Sequence, residues 1–131
     1  MELEKITLSD DKTHHLYNEA PLYSKKFTAV EKFHQPGLAP VLDTSGAYHI
    51  NIQGNEAYQD RFNQSFGFYC GLAAVEENGK WFHILPDGNK TYDDNFDWLG
   101  NFQEDICVAK KDGRFFHIKR AGKALYEKRY N

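Results

Sequence analysis

Four histidines, His15, His49, His83 and His117, stand 34 residues apart each time. Imidazole is a ligand type that zinc favours, so a ladder of rings on neighbouring strands could supply metal nitrogens. The same spacing also arises if each imidazole fills one structural position in a repeated unit, bonded to a neighbouring carbonyl or acid. That structural role is the main reading, and metal ligation by His49, His83 and His117 is the minor one. No other cofactor is expected. A catalytic site is needed once, not in every copy, so residues that break the 34-residue step are the better candidates for chemistry: His14, His34, Cys70, Trp98, Asp105 and Cys107. A Cys with a His can make a nucleophile and base pair. Nothing arranges these residues into one, because no nucleophile elbow, His-Glu-x-x-His stretch or phosphate-binding loop is present. The expectation is a protein that is not an enzyme.

The residues around each histidine repeat with it. Gly79-Lys80-Trp81-Phe82-His83-Ile84 returns as Gly113-Arg114-Phe115-Phe116-His117-Ile118 and, upstream, as Gly46-Ala47-Tyr48-His49-Ile50. Gly54, Gly88 and Gly122 keep the same step, and Lys12-Thr13-His14-His15-Leu16 is a worn first copy. The units run roughly over 1–27, 28–62, 63–96 and 97–131, in one domain of 131 residues. Asn78-Gly79 and Asp112-Gly113, each between apolar runs, are hairpin turns, and Ser45-Gly46 takes the same place. In the strand that follows, Tyr48, Phe82 and Phe116 share a face with Ile50, Ile84 and Ile118 and form the core side. Ala47, Trp81 and Phe115 share the other, half-covered face with the histidines. Pairs four residues apart close the units: Tyr23 and Phe27, Tyr58 and Phe62, Tyr92 and Phe96, Tyr126 and Tyr130.

This pattern predicts an all-β fold of tandem antiparallel hairpin or meander repeats of about 34 residues, stacked as a solenoid. A partial β-propeller is the alternative, disfavoured because about three complete units are too few for a ring. The chain stops where another strand would begin, which suggests a piece of a longer array. Cys107 aligns with Ala73 and Cys70 with Glu104, an odd offset that points the two thiols to opposite faces. Both are expected to be free, without a disulfide, as suits a reducing compartment.

Gly79-Lys80-Trp81, Ile84 and Gly88, with Phe68 and Gly71-Leu72-Ala73-Ala74-Val75 before them, resemble the WG-repeat family of bacterial tandem β repeats. Phe82 stands where that family has the second residue of its Trp-Gly pair, and His83 where it has Tyr or Phe. The resemblance implies an adaptor or ligand-binding array in a larger bacterial protein, with no catalytic residue to carry over.

Net charge is −3, with Lys and Arg scattered among Asp and Glu, so no basic stripe exists to track nucleic acid. No apolar run approaches the roughly 18 residues of a membrane helix. Met1-Glu2-Leu3-Glu4-Lys5 lacks the features of a signal peptide, so a cytoplasmic protein is expected, with export by another route left open. Aromatic residues make up 15% of the chain, enough to fill the joints between units and leave some for contact with a partner. Trp98, Tyr69, Trp81 and Tyr92 are the candidate binding residues. Trp98 is first among them because Gln64 stands at its place in the previous unit. A protein partner is the expected ligand, and a glycan or small molecule the alternative.

Overall fold

The computed structural model describes residues 1–125, and the last aromatic pair, Tyr126 and Tyr130, lies outside them. The described chain is all-β apart from a short 3-10 turn at Leu3–Lys5. Its strands are β1 (Ile6–Leu8), β2 (His15–Tyr17), β3 (Ala20–Pro21), β4 (Ala29–Val30), β5 (Ala39–Asp43), β6 (Gly46–Ile50), β7 (Gln64–Tyr69), β8 (Leu72–Glu77), β9 (Lys80–Ile84), β10 (Trp98–Leu99), β11 (Ile106–Lys111) and β12 (Arg114–Lys119). They make four three-stranded antiparallel sheets, β1-β2-β3, β4-β5-β6, β7-β8-β9 and β10-β11-β12, and no strand is shared between sheets. Among the described residues, no helix is long and apolar enough to cross a membrane.

Turn chemistry sets the registers. Asn78 and Gly79 have φ of 53° and 83°, and Asp112 and Gly113 have 55° and 79°, the paired positive values of a tight two-residue hairpin. Residues such as Val75↔Phe82 and Ala109↔Phe116 therefore face each other across the sheet. The hairpin before each of these uses the same device with less obvious residues: Cys70-Gly71 at 54° and 80°, and Glu104-Asp105 at 51° and 67°. Residues 63–69, polar and aromatic in composition, are mostly strand. Their alternation is hidden by a bulge between Ser65 and Phe68, which slips the pairing of β7 on β8.

A sheet of three strands, none longer than six residues, cannot bury an apolar face alone. Each inner sheet buries one face on the unit before and the other on the unit after. Phe68, Ala73, Val75, Phe82 and Ile84 of the third unit join Tyr48, Tyr58 and Phe62 of the second in one core. Leu72, Ala74 and Trp81, on the reverse face, join Phe96, Leu99, Phe102, Cys107 and Phe116 in another. The histidine face was expected to be half covered. It is fully buried at Ala47, His49, Trp81 and His83, because the next unit lies on it.

Ring contacts run through the stack. Tyr58 meets Phe62 at 5.9 Å between centroids, and Phe62 meets Phe82 of the next unit at 5.9 Å. The same chain of contacts joins Tyr23, Phe27 and Tyr48, and also Tyr92, Phe96 and Phe116. The Tyr–Phe spacing pins the chain just before the next unit: Phe62 and Phe96 bridge in antiparallel fashion to Ala47 and Trp81.

Gly88 carries two constraints at once. Its φ is 89°, and a Cβ placed there would lie 2.8 Å from Cγ of Tyr58 in the preceding unit. Gly79 has a similar φ of 83° but open space around it. Gly79→Ala should therefore cost about 1 kcal/mol, the conformational penalty alone. Gly88→Ala should cost at least about 2 kcal/mol more, since the Tyr58 ring must leave its packed position. Urea denaturation of the two variants checks the difference, and equal losses would contradict the packing role.

Candidate functional site

His15, His49 and His83 are fully buried, and each sits in the same three-part joint. Nδ1 lies 2.6, 2.5 and 2.6 Å from the hydroxyl of Tyr23, Tyr58 and Tyr92, the tyrosine that closes its own unit. Nε2 lies 2.7, 2.7 and 3.2 Å from the main-chain oxygen of Glu31, Phe66 and Gly100, at the start of the next unit. A carbonyl only accepts, so Nε2 carries the proton. The ring is neutral, and Nδ1 accepts from the tyrosine O–H. Phe33, Phe68 and Phe102 of the next unit stack on the three rings at 4.5, 4.6 and 4.6 Å.

This environment disfavours charge. Burial lowers the pKa of His49 and His83 to about 4, against a smaller opposing effect of the carbonyl bond, and His15 moves the same way. Burial likewise raises the Tyr23 hydroxyl to about 12, and those of Tyr58 and Tyr92 move in the same direction. Both nitrogens of His49 and His83 are thus used within the fold. Among the described residues, no three His, Cys, Asp or Glu side chains are grouped to hold a metal ion. His117 is half-buried, and Tyr126, at the position of its closing tyrosine, lies outside the described residues.

The repeat-breaking residues are dispersed. His14 bonds Thr13 at 3.0 Å, Asp105 pairs with Arg120 at 3.5 Å, and Cys70 lies exposed in its turn. Cys107 brings Sγ within 3.8 Å of His83 Nε2, a Cys–His approach. That nitrogen is the ring's proton donor and cannot act as a base. Burial raises the Cys107 thiol to about 12. The pair is packing, not a nucleophile and its activator.

A cleft of about 630 Å³ is lined from all four units, by Leu8 and Lys12, by His34 and Pro40, by Phe66 and Tyr69, and by Asn101. Tyr69 stacks on His34 with centroids 4.6 Å apart, and its hydroxyl lies 3.3 Å from His34 Nε2. Gly67 makes this stack possible, for a Cβ there would lie 2.7 Å from His34 Cδ2. On the cleft wall, the buried Asn101 Oδ1 has no hydrogen-bond partner.

Of the four aromatic residues singled out from the sequence, Tyr69 and Trp98 are exposed. Trp81 is in the core, its indole against Phe66 at 5.1 Å. Tyr92 is half-buried, with its hydroxyl committed to His83. His34 was noted only as a break in the repeat. Its partnership with Tyr69 was hidden because the two occupy equivalent places in successive units, 35 residues apart instead of 34. Asn101 had no sequence signal.

The sequence model of the WG containing repeat family matches residues 50–81 and 95–115. Those two segments are similar to WG repeats. Each runs through the first two strands of a unit, β7 and β8 or β10 and β11, and ends at the aromatic residue of the third, Trp81 or Phe115. The WG-repeat resemblance read from Trp81 and Gly71-Leu72-Ala73-Ala74-Val75 therefore holds, with Phe82 in place of glycine. No curated protein and no solved structure matches the chain.

The joint predicts a pH dependence. Unfolded histidine takes up a proton near pH 6.5, whereas folded His49 and His83 do so only near 4. Their contribution to stability is complete above about 6.5 and is lost as pH falls toward 4, because the unfolded state binds more protons in that window. Each can account for on the order of 3 kcal/mol by pH 4. Tm should therefore drop between pH 7 and pH 5, and the slope should flatten in a His49→Gln, His83→Gln double variant. Tyr58→Phe at neutral pH leaves His49 Nδ1 buried without a donor and should cost about 1–3 kcal/mol by urea denaturation.

Proposed function

We propose that this chain is a non-catalytic repeat module that binds a protein partner, receiving an extended segment of it in the cleft shared by the four units. The observation that carries this reading is the cleft itself: the exposed Tyr69–His34 stack beside a buried amide oxygen, Asn101 Oδ1, that lacks a donor. A polypeptide supplies both complements, an apolar or aromatic side chain for the stack and a main-chain N–H for the amide oxygen. Stacked units that draw one concave surface from equivalent positions suit such segments.

The units are read as an open solenoid, not a closed propeller. Supporting this, Ile106 and Val108 on the last sheet are exposed, as is Thr7 on the first. In a closed ring those two faces would cover each other. The non-catalytic reading is supported by the engagement of both nitrogens of His49 and His83 and by the raised thiol of Cys107. The exposed free thiol of Cys70 suits the reducing interior of a bacterial cytoplasm.

The test is selection of peptides from a random displayed library on the immobilised chain, followed by titration against Tyr69→Ala and His34→Ala variants. Enriched peptides should bind the parent at least tenfold more tightly than either variant, a difference of about 1.4 kcal/mol. If no peptide is enriched but a simple saccharide saturably quenches tyrosine and tryptophan emission, the cleft is a glycan site and the protein-partner reading fails.

A further inference from the structure

The last unit has one sheet face uncovered. Ile106, Val108 and Phe115 stand at the places of Leu72, Ala74 and Trp81 one repeat earlier. Their relative exposures are 36%, 38% and 38%, against 2%, 0% and 6%. Trp98, 39% exposed, lines the same open face, which holds a depression of about 460 Å³ shared with Ile106 and Val108. Four large apolar side chains on one small sheet are the kind of patch that a soluble surface does not leave without a use.

What covers these positions elsewhere in the molecule is known. Leu72, Ala74 and Trp81 are buried by the opposite face of the next unit, by Leu99, Phe102, Cys107 and Phe116. Val30, Phe33, Val41, Tyr48 and Ile50 are the equivalent covering residues of the second unit, two joints earlier. We propose that the open face of β11 and β12 is a docking surface for one further three-stranded unit of this same repeat, entering with its aliphatic and aromatic face and continuing the interface that already joins the four units.

A second copy of this chain is a poor occupant in the head-to-tail sense. The face it would bring is that of β1 and β2, where the pair Thr7↔Leu16 takes the place of Ala39↔Ile50 and Ala73↔Ile84. Thr7 is exposed and Leu16 only half-buried, with Ser9 and His14 beside them on the same strands or turn. Ser9 Oγ is engaged with Asp11 and the main chain of Thr13 and His14, so this face is held by polar contacts. The two outer faces are therefore unlike, one more polar and one apolar. This inference does not depend on the cleft or on its ligand.

The experiment extends the full chain in phase. A duplicate of residues 97–131 is joined directly after Tyr130, which stands at the place of Phe96, with Gln at the duplicate's tryptophan position so that Trp98 reports alone on the open face. The expected result is a rise in Tm of at least about 5 °C and a loss of acrylamide access to Trp98. Both should vanish when Val108→Asp is introduced in the parent unit. A duplicate carrying Asp at its Cys107 position controls for length and should give neither effect. If the extended chain melts as the parent does and Trp98 stays accessible, the proposal is overturned. It is overturned equally if the parent sediments as a dimer that Val108→Asp dissociates, since the occupant is then a second copy.

Discussion

The structure depends on a neutral imidazole that must be satisfied at both nitrogens, by two different units at once. His49 takes a hydrogen bond from Tyr58 within its unit and gives one to Phe66 O in the next, and His15 and His83 do the same with their own partners. Each bond contributes only about 1 kcal/mol net, but a buried nitrogen left unpaired costs more than that. The joint therefore matters less as adhesion than as a specification. A neighbouring unit that slid by one residue would withdraw its carbonyl and leave the ring short of a partner. Hydrophobic burial drives the units together, while the imidazole selects the arrangement in which they meet.

Much else follows from that geometry. The closing tyrosine has to reach the imidazole with its hydroxyl, so its ring lies against the turn of the following unit, where Gly54, Gly88 and Gly122 leave room for it. The phenylalanine four residues on then falls next to the aromatic strand of that unit, as Phe62 does on Phe82. Phe68 and its equivalents cap the ring from the other side. The extra residue between His34 and Tyr69 falls between His49 and Tyr58, which are 9 residues apart where His15 and Tyr23 are 8, so the joint keeps its contacts across a change in the loop between ring and hydroxyl.

Elements held by side-chain identity were legible in the sequence. The histidine step, the Asn78-Gly79 and Asp112-Gly113 turns, the Tyr–Phe pairs and the apolar face of Phe82 and Ile84 all follow from residue type and period. The partner of His83 Nε2 was not legible, because a main-chain oxygen carries no signature and any residue can supply it, as Glu31, Phe66 and Gly100 do. The strand at Gln64–Tyr69 was obscured by its bulge, and the turns at Cys70-Gly71 and Glu104-Asp105 by residues that rarely announce positive φ. Trp81 looked like a surface ring because its strand alternates, but alternation marks a solvent face only where one side of a sheet is wet. Here both sides are dry in the inner units. The candidate cleft was the least legible feature, since Tyr69, His34 and Asn101 come from three different units and meet only where those units pack together.

The joint also decides where ligand chemistry can reside. A metal ion or substrate that took His49 would have to displace both the Tyr58 hydroxyl and the Phe66 carbonyl, leaving two polar groups unpaired in a dry interface and prising two units apart. The cost falls on the binding event, at about 1–3 kcal/mol for each stranded group before any separation of the sheets is counted. The positions occupied by Glu31 and His34, Phe66 and Tyr69, Gly100 and Gln103 carry no such burden. They flank the joint, face the clefts, and contribute to the stack chiefly through their backbone, so they can differ from unit to unit without altering it. A fold whose constant parts are consumed by self-recognition leaves its variable side chains as the means of recognising anything else.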